Sequence, residues 1–225
     1  MLSPTQNSRS KSYRPNPASH DWTDQHVLIT GGTGFLGLRL TRRLTDLGAR
    51  VTVGLCEDDD PARVAALPPT TDARAGDVRN FSQLRRLVEE VTPGYVFHLA
   101  AVGVNDPFIA EETALGVNVH GTLNTLRAVH RATPKPVQRI IVAGTSNEYG
   151  KAGELDPGNV YAASKVAAWA FCRMYYRVYG TPVVVARPFN IYGPGQMQDS
   201  LIPAATRAAL NGQDFPMTPG RQRRD

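Results

Sequence analysis

Tyr161 and Lys165 stand four residues apart in the run Tyr161-Ala162-Ala163-Ser164-Lys165. On a helix that spacing puts both side chains on one face. A free phenol has a pKa of about 10 and is a poor base at neutral pH. A nearby ammonium and a cationic nicotinamide ring favour the phenolate and are expected to pull that value down. Lys165 can also hold the ribose of such a cofactor. Upstream, Thr145 or Ser146 offers a hydroxyl to a substrate oxygen. The set reads as a proton-transfer device beside a hydride acceptor. A Tyr-x-x-x-Lys pair alone is common and usually means two amphipathic side chains on a helix surface. Here its position in the chain gives it weight.

That position is set by the stretch Val27 to Gly37, an apolar run ending in a glycine-rich turn. Val27, Leu28 and Ile29 read as a buried parallel strand. Gly31, Gly34 and Gly37 follow, and Leu36, Leu40, Leu44 and Leu47 then carry a helix to its stop at Gly48. Glycines let a pyrophosphate touch the backbone, and the helix N-terminus supplies free N–H groups. Further strands are predicted at 50–55, 72–78, 95–101, 139–144 and 183–187. The small Ala100 and Ala101 close the fourth, where a strand end must pass beneath a cofactor. Helices are predicted around Phe81–Val91, Glu111–Arg131 with Asn118 inside it, and Tyr161–Tyr179. Strands alternating with helices imply an α/β, Rossmann-type, doubly wound parallel sheet with ligands at the carboxyl ends of its strands.

The residues before the first strand are rich in Ser, Pro, Asn and basic side chains, so 1–24 is expected to be a disordered leader. Residues 25–190 are expected to form the dinucleotide domain, and 191–225 the start of an incomplete substrate lobe. The formal charge of +5 sits largely in the two tails and does not call for nucleic acid. Cys56 and Cys172 lack disulfide or metal spacing, and the histidines show no ligand pairing, so no metal is expected. His98 reads as a hydrogen-bonded core residue. No stretch is long and apolar enough for a membrane span, and no signal-peptide core is present, so a cytoplasmic location is expected. After the second strand, Glu57, Asp58, Asp59 and Asp60 would repel a 2′-phosphate, and no cation follows until Arg63. NAD is favoured over NADP.

The motifs TGGTGFLG, GDV at 76–78, HLAA at 98–101, NVHGT at 118–122, YAASK at 161–165 and RPFNIYGPGQ at 187–196 together resemble the extended short-chain dehydrogenase/reductase family. The likeness is to its NAD-dependent epimerase/dehydratase branch, which acts on nucleotide sugars. The resemblance implies that Gly31, Gly34, Phe35, Leu36 and Gly37 hold the pyrophosphate and that Asp77 and Val78 flank the adenine. Leu99, Ala100 and Ala101 would line the cofactor channel, with Asn118 and Pro188 also on the cofactor side. Tyr161 would be the base, Lys165 its helper and Thr145 the hydroxyl partner. Ser146, Asn190 and Arg224 would face the substrate, and relatives commonly pair as homodimers.

Two departures from the family pattern bear on activity. Members that remove water from the sugar place an acid two residues before the Tyr of the Tyr-Gly pair. That position is Asn147 here, and Glu148 is one step off. Elimination needs an acid for the departing hydroxyl, so the dehydratase reading is weakened. The sequence also stops inside the motif that Arg224 enters, and the rest of the substrate lobe is missing, as in a truncated chain. A nucleotide-sugar 4-epimerase is the leading expectation. A reductase of 4-keto-6-deoxy sugars and a non-catalytic dinucleotide-binding module are the alternatives.

Overall fold

In the computed structural model, residues 21–217 are described, apart from 107, 133–136 and 151–152. Six parallel strands form one sheet in the order β3-β2-β1-β4-β5-β6. They are β1 (His26–Thr30), β2 (Arg50–Leu55), β3 (Asp72–Ala75), β4 (Tyr95–His98), β5 (Arg139–Ala143) and β6 (Val183–Ala186). The order reverses beside β1, where β2 pairs on one side and β4 on the other. In such sheets the crevice above that switch point receives the ligand.

Helices close both faces of the sheet. α1 (Phe35–Asp46) buries Gly37, Thr41 and Leu44. After the short α2 (Pro61–Ala65), capped by the Asp60 side chain, comes α3 (Phe81–Val91). Asn80 caps it, and Leu84, Leu87, Val88 and Val91 bury one stripe, as their spacing requires. One core cluster joins that stripe to Val96, Leu126, Ile140 and Cys172, and a second gathers Val27, Ile29, Leu44, Val51 and Val53 on the other face.

Three element boundaries expected from the sequence need adjustment. The third and fourth strands were expected to run to Val78 and Ala101 but end at Ala75 and His98. Their continuations leave the ladder, each keeping one bond to the neighbouring strand, Gly76 N–H to Leu55 O and Leu99 N–H to Thr30 O. The single helix expected over 111–131 is three pieces: α4 (Glu111–Ala114), a π-helical turn (Leu115–His120) and α5 (Gly121–Arg131). Such bulges widen the helix locally and often mark functional sites. Within the stretch 1–24 expected as a leader, Trp22 packs against Tyr95 with ring centroids 5.0 Å apart and planes tilted by 59°. β6 is an edge strand with Val184 exposed.

α6 (Val160–Tyr179) is capped by Asn159, whose side chain accepts from Ala162 N–H at 2.8 Å, and it stops at Gly180 in the left-handed conformation. Its buried face runs through Tyr161, Lys165, Ala168, Cys172 and Tyr175. α7 (Leu201–Leu210) buries only Ala208.

Candidate active site

The glycines after β1 are required by close approach. Gly31 has φ of +70°, and a Cβ there would sit 2.6 Å from the Ala100 amide nitrogen. A Cβ on Gly37 would come within 2.7 Å of the Gly32 Cα. The loop, the Leu99–Ala101 segment and the start of α1 therefore touch backbone to backbone. Gly34 is the α1 N-cap and offers no capping side chain, so the first-turn N–H groups form an anion site. These features fit a dinucleotide: Gly31, Gly34, Phe35, Leu36 and Gly37 would hold its pyrophosphate, with Leu99, Ala100 and Ala101 beneath it.

The acidic run after β2 is more organised than a solvated turn. Asp59 accepts from the Thr33 hydroxyl at 2.5 Å and from the Cys56 N–H at 2.8 Å. Asp58 pairs with Arg79 at 2.7 Å, and Arg79 also grips Asp77. That guanidinium holds the Asp77 carboxyl below its usual range, partly offset by burial. A cation thus stands at this corner, brought from beyond β3, whereas the sequence pointed to none before Arg63. It is occupied by two carboxylates, so the corner keeps its acidic character and suits a ribose diol better than a 2′-phosphate. Val78 is buried against Gly121, where a Cβ would lie 2.8 Å from Val78 Cγ2, which explains the glycine inside the helix.

Asn118 was expected among the cofactor contacts. It is fully buried in the π-helical turn, where its amide accepts from Val102 N–H at 2.9 Å. It also donates to Val102 O at 3.0 Å and to Ser164 Oγ at 2.9 Å. With both amide hydrogens used, it braces the channel wall from behind and ties that wall to α6. His98 behaves as expected of a core histidine. Nε2 meets Thr122 Oγ1 at 3.0 Å and Nδ1 meets Thr30 Oγ1 at 2.8 Å. The Thr122 hydroxyl already gives its hydrogen to the Asn118 carbonyl, so donor counting places the His98 proton on Nε2. Burial, then the Lys165 charge, pulls its pKa down to about 3.

Tyr161, Lys165 and Thr145 come together at the carboxyl ends of β4 and β5. Tyr161 is 6% exposed, Lys165 2% and Thr145 8%, so all three are turned away from bulk water. Burial pulls Lys165 down to about 8 despite the opposing charge of Glu148. The lowering of the Tyr161 pKa is expected from Lys165 together with a bound nicotinamide; the chain by itself pushes the other way. Burial pushes the phenol above its ordinary value, a hydrogen bond from the Thr145 side chain pulls it back, and Glu148 adds to the upward push. Burial of the phenol is the main reason, with the Glu148 charge a smaller addition.

That carboxylate is the feature sequence reasoning missed. Glu148 is fully buried at the end of a 3-10 turn (Ser146–Glu148) that Thr145 caps. The Thr145-x-x-Glu148 spacing is a capping box, and that signal was present in the sequence. Of the remaining expected residues, Ser146 is half-buried on this turn with its N–H on Pro188 O at 3.2 Å. Asn147 and Asn190 are exposed, and Arg224 lies outside the described residues.

A family model described as NAD dependent epimerase/dehydratase matches residues 27–225. The chain belongs to that family. Among curated relatives it is 28% identical to a probable dTDP-glucose 4,6-dehydratase of Sinorhizobium fredii, over 85% of this chain and 60% of that protein. It is 29% identical to UDP-glucuronate 4-epimerase 1 of Arabidopsis thaliana, over 96% of this chain and 54% of that one. The Bordetella bronchiseptica enzyme WbmG, solved with NAD and UDP, superposes with a TM-score of 0.73 at 27% identity. That match covers 86% of this chain and 62% of the other. The chain therefore spans roughly half to two thirds of the length of these epimerase/dehydratase relatives. No helix among the described residues is long and apolar enough to cross a membrane, and among them no cluster of metal-ligating side chains occurs.

Proposed function

We propose that the chain is an NAD-dependent nucleotide-sugar epimerase working through Tyr161. What carries this reading is the state of Glu148, the carboxylate nearest the position where dehydratases of the family need an acid. It accepts from Thr145 N–H and from Arg187 Nε and has no exposure, so it cannot reach a departing hydroxyl. Asn147, at the position itself, is a carboxamide with no acidic proton to transfer. Epimerisation through a keto sugar needs a hydride acceptor, a proton carrier and an oxygen-positioning hydroxyl, and the buried Tyr161 and Thr145 support the last two roles.

NAD, when bound, supplies the hydride acceptor. Tyr161 takes the proton of the sugar hydroxyl and later returns it, while Thr145 orients that oxygen. Lys165 would hold the nicotinamide ribose, and its buried charge favours the phenolate once substrate enters. Ser146 and Asn190 would meet the sugar and its phosphates, Pro188 would close the cofactor side, and Arg224 would meet the diphosphate. We further infer a cytoplasmic location and a homodimer, the latter supported by the exposed Leu115, Tyr176 and Val178 on the two long helical segments.

The test incubates the chain with NAD and UDP-glucose, UDP-glucuronate or dTDP-glucose, and follows sugar configuration and NADH together. Epimerisation at C4 with no net NADH, lost in Tyr161→Phe, is the expected result. Stoichiometric NADH or NADPH use on a 4-keto-6-deoxy sugar would make it a reductase. NAD binding with no sugar turnover would leave a dinucleotide-binding module.

A further inference from the structure

Glu148 joins two elements that share no other side-chain ion pair among the described residues. Its Oε1 accepts from Thr145 N–H at 2.8 Å, and its Oε2 accepts from Arg187 Nε at 2.6 Å. The Thr145 hydroxyl accepts from Asn147 N–H at 3.2 Å, closing a reciprocal cap around the turn. Arg187 is itself pinned, with its guanidinium 5.1 Å from the Tyr149 ring centre and 5.4 Å from that of Trp169. Gly144 makes room for the arrangement, since a Cβ there would lie 2.6 Å from Glu148 Oε1 and 3.0 Å from Arg187 Cγ. Both partners of Glu148 are N–H donors on different elements. A carboxylate, which only accepts, satisfies both, whereas a carboxamide would turn one N–H group toward another.

We propose that Glu148 is a positioning residue, fixing the Thr145 hydroxyl against the Tyr161 phenol by tying the turn that carries Thr145 to Arg187 at the end of β6. The proposal rests on the assignment of Tyr161 and Thr145 made above. The charged and titratable groups around Glu148 are Arg187 after β6 and Tyr161, Lys165 and Cys172 on α6. Of these only Arg187 pairs with it directly. Lys165 and Tyr161 sense its charge from the helix above, so the carboxylate serves geometry and proton affinity together.

A double-mutant cycle on the titration of Tyr161 tests this without any sugar turnover. The full chain carries 3-fluorotyrosine, which brings phenol ionisation to a milder pH, and the Tyr161 fluorine resonance is identified by its absence in Tyr161→Phe. In the native background, Thr145→Val removes a hydroxyl whose proximity favours the phenolate. The midpoint is expected to rise by about half to one pH unit. In Glu148→Gln the same Thr145→Val change is expected to raise it by less than half as much, because the hydroxyl is already displaced. An equal rise in both backgrounds overturns the proposal, and so does no rise in the native one. Where Glu148→Gln does not fold, Arg187→Gln cuts the tether from its other end and enters the same cycle with the same expectation. Absence of epimerase activity with this cycle intact would remove the enzymatic reading alone.

Discussion

Two buried polar clusters lie on adjacent strands and have opposite electrostatic character. The His98 cluster at the end of β4 is neutral, its ring held among Thr30, Thr122 and Thr125 with its pKa down near 3. The Glu148 cluster after β5 holds ionisable groups that oppose one another: a carboxylate, a guanidinium, a lysine drawn to about 8 and a phenol pushed upward. Burial is equally complete at both centres, with His98 1% and Glu148 0% exposed. What separates them is compensation. Threonine hydroxyls satisfy a neutral ring and leave nothing to titrate near neutral pH. Opposed charges in a low-dielectric setting leave proton affinities displaced, and displaced affinities are what proton transfer uses.

Substitutions can break or sharpen that contrast. The largest effect is expected from Tyr161→Phe, which should reduce turnover about 10²–10⁴-fold. NAD binding, followed by fluorescence or calorimetry, should be retained. Next is Glu148→Ala. Leaving Arg187 without its buried partner should cost about 3 kcal/mol of stability in urea unfolding, whereas a loss under 1 kcal/mol would put Glu148 on a par with a surface acid. For the neutral cluster, His98→Gln should cost about 1–2 kcal/mol through unpaired threonine hydroxyls and leave turnover within a few-fold.

The pH dependence divides the clusters further. The folded pKa of His98 lies below its unfolded value of 6.5, so the unfolded chain binds more protons between about 3 and 6.5. Stability from this group is complete above 6.5 and declines as pH falls through that window. In His98→Gln the decline should be shallower, and parallel curves for the two proteins would mean the ring charges without penalty. The smallest effect belongs to a pair outside both clusters. Arg85 and Glu89 sit one turn apart on the exposed face of α3, and Arg85→Ala should change stability by less than about 0.5 kcal/mol.

Much of the sheet could be read from the chain because its signals are local. Strands such as Val27–Ile29, Arg139–Ala143 and Val183–Ala186 announce themselves as short β-branched runs, whereas the third, Asp72–Ala75, has none; the errors fell at strand ends, as at Ala75 and His98. Where a parallel strand stops depends on whether its neighbour still offers a partner, and the strand's own residues do not encode that. The π-helical turn around Asn118 escaped notice for a related reason. It serves a hydrogen-bonding bridge to Val102 and Ser164, residues that are 16 and 46 positions away.

The sequence by itself determined the glycine cradle and the shared face of Tyr161 and Lys165. Both follow from backbone sterics and helical periodicity, which act over a few residues. Only the tertiary structure decided what surrounds them. Glu148 meets Arg187 across 39 positions, Arg79 reaches Asp58 across 21, and Trp22 covers the rim of the core. The charge a phenol or lysine carries depends on the dielectric and the partners that folding brings to it. Those are properties of the packed chain, and for that reason the direction of the Tyr161 shift could not be read from its neighbours in sequence.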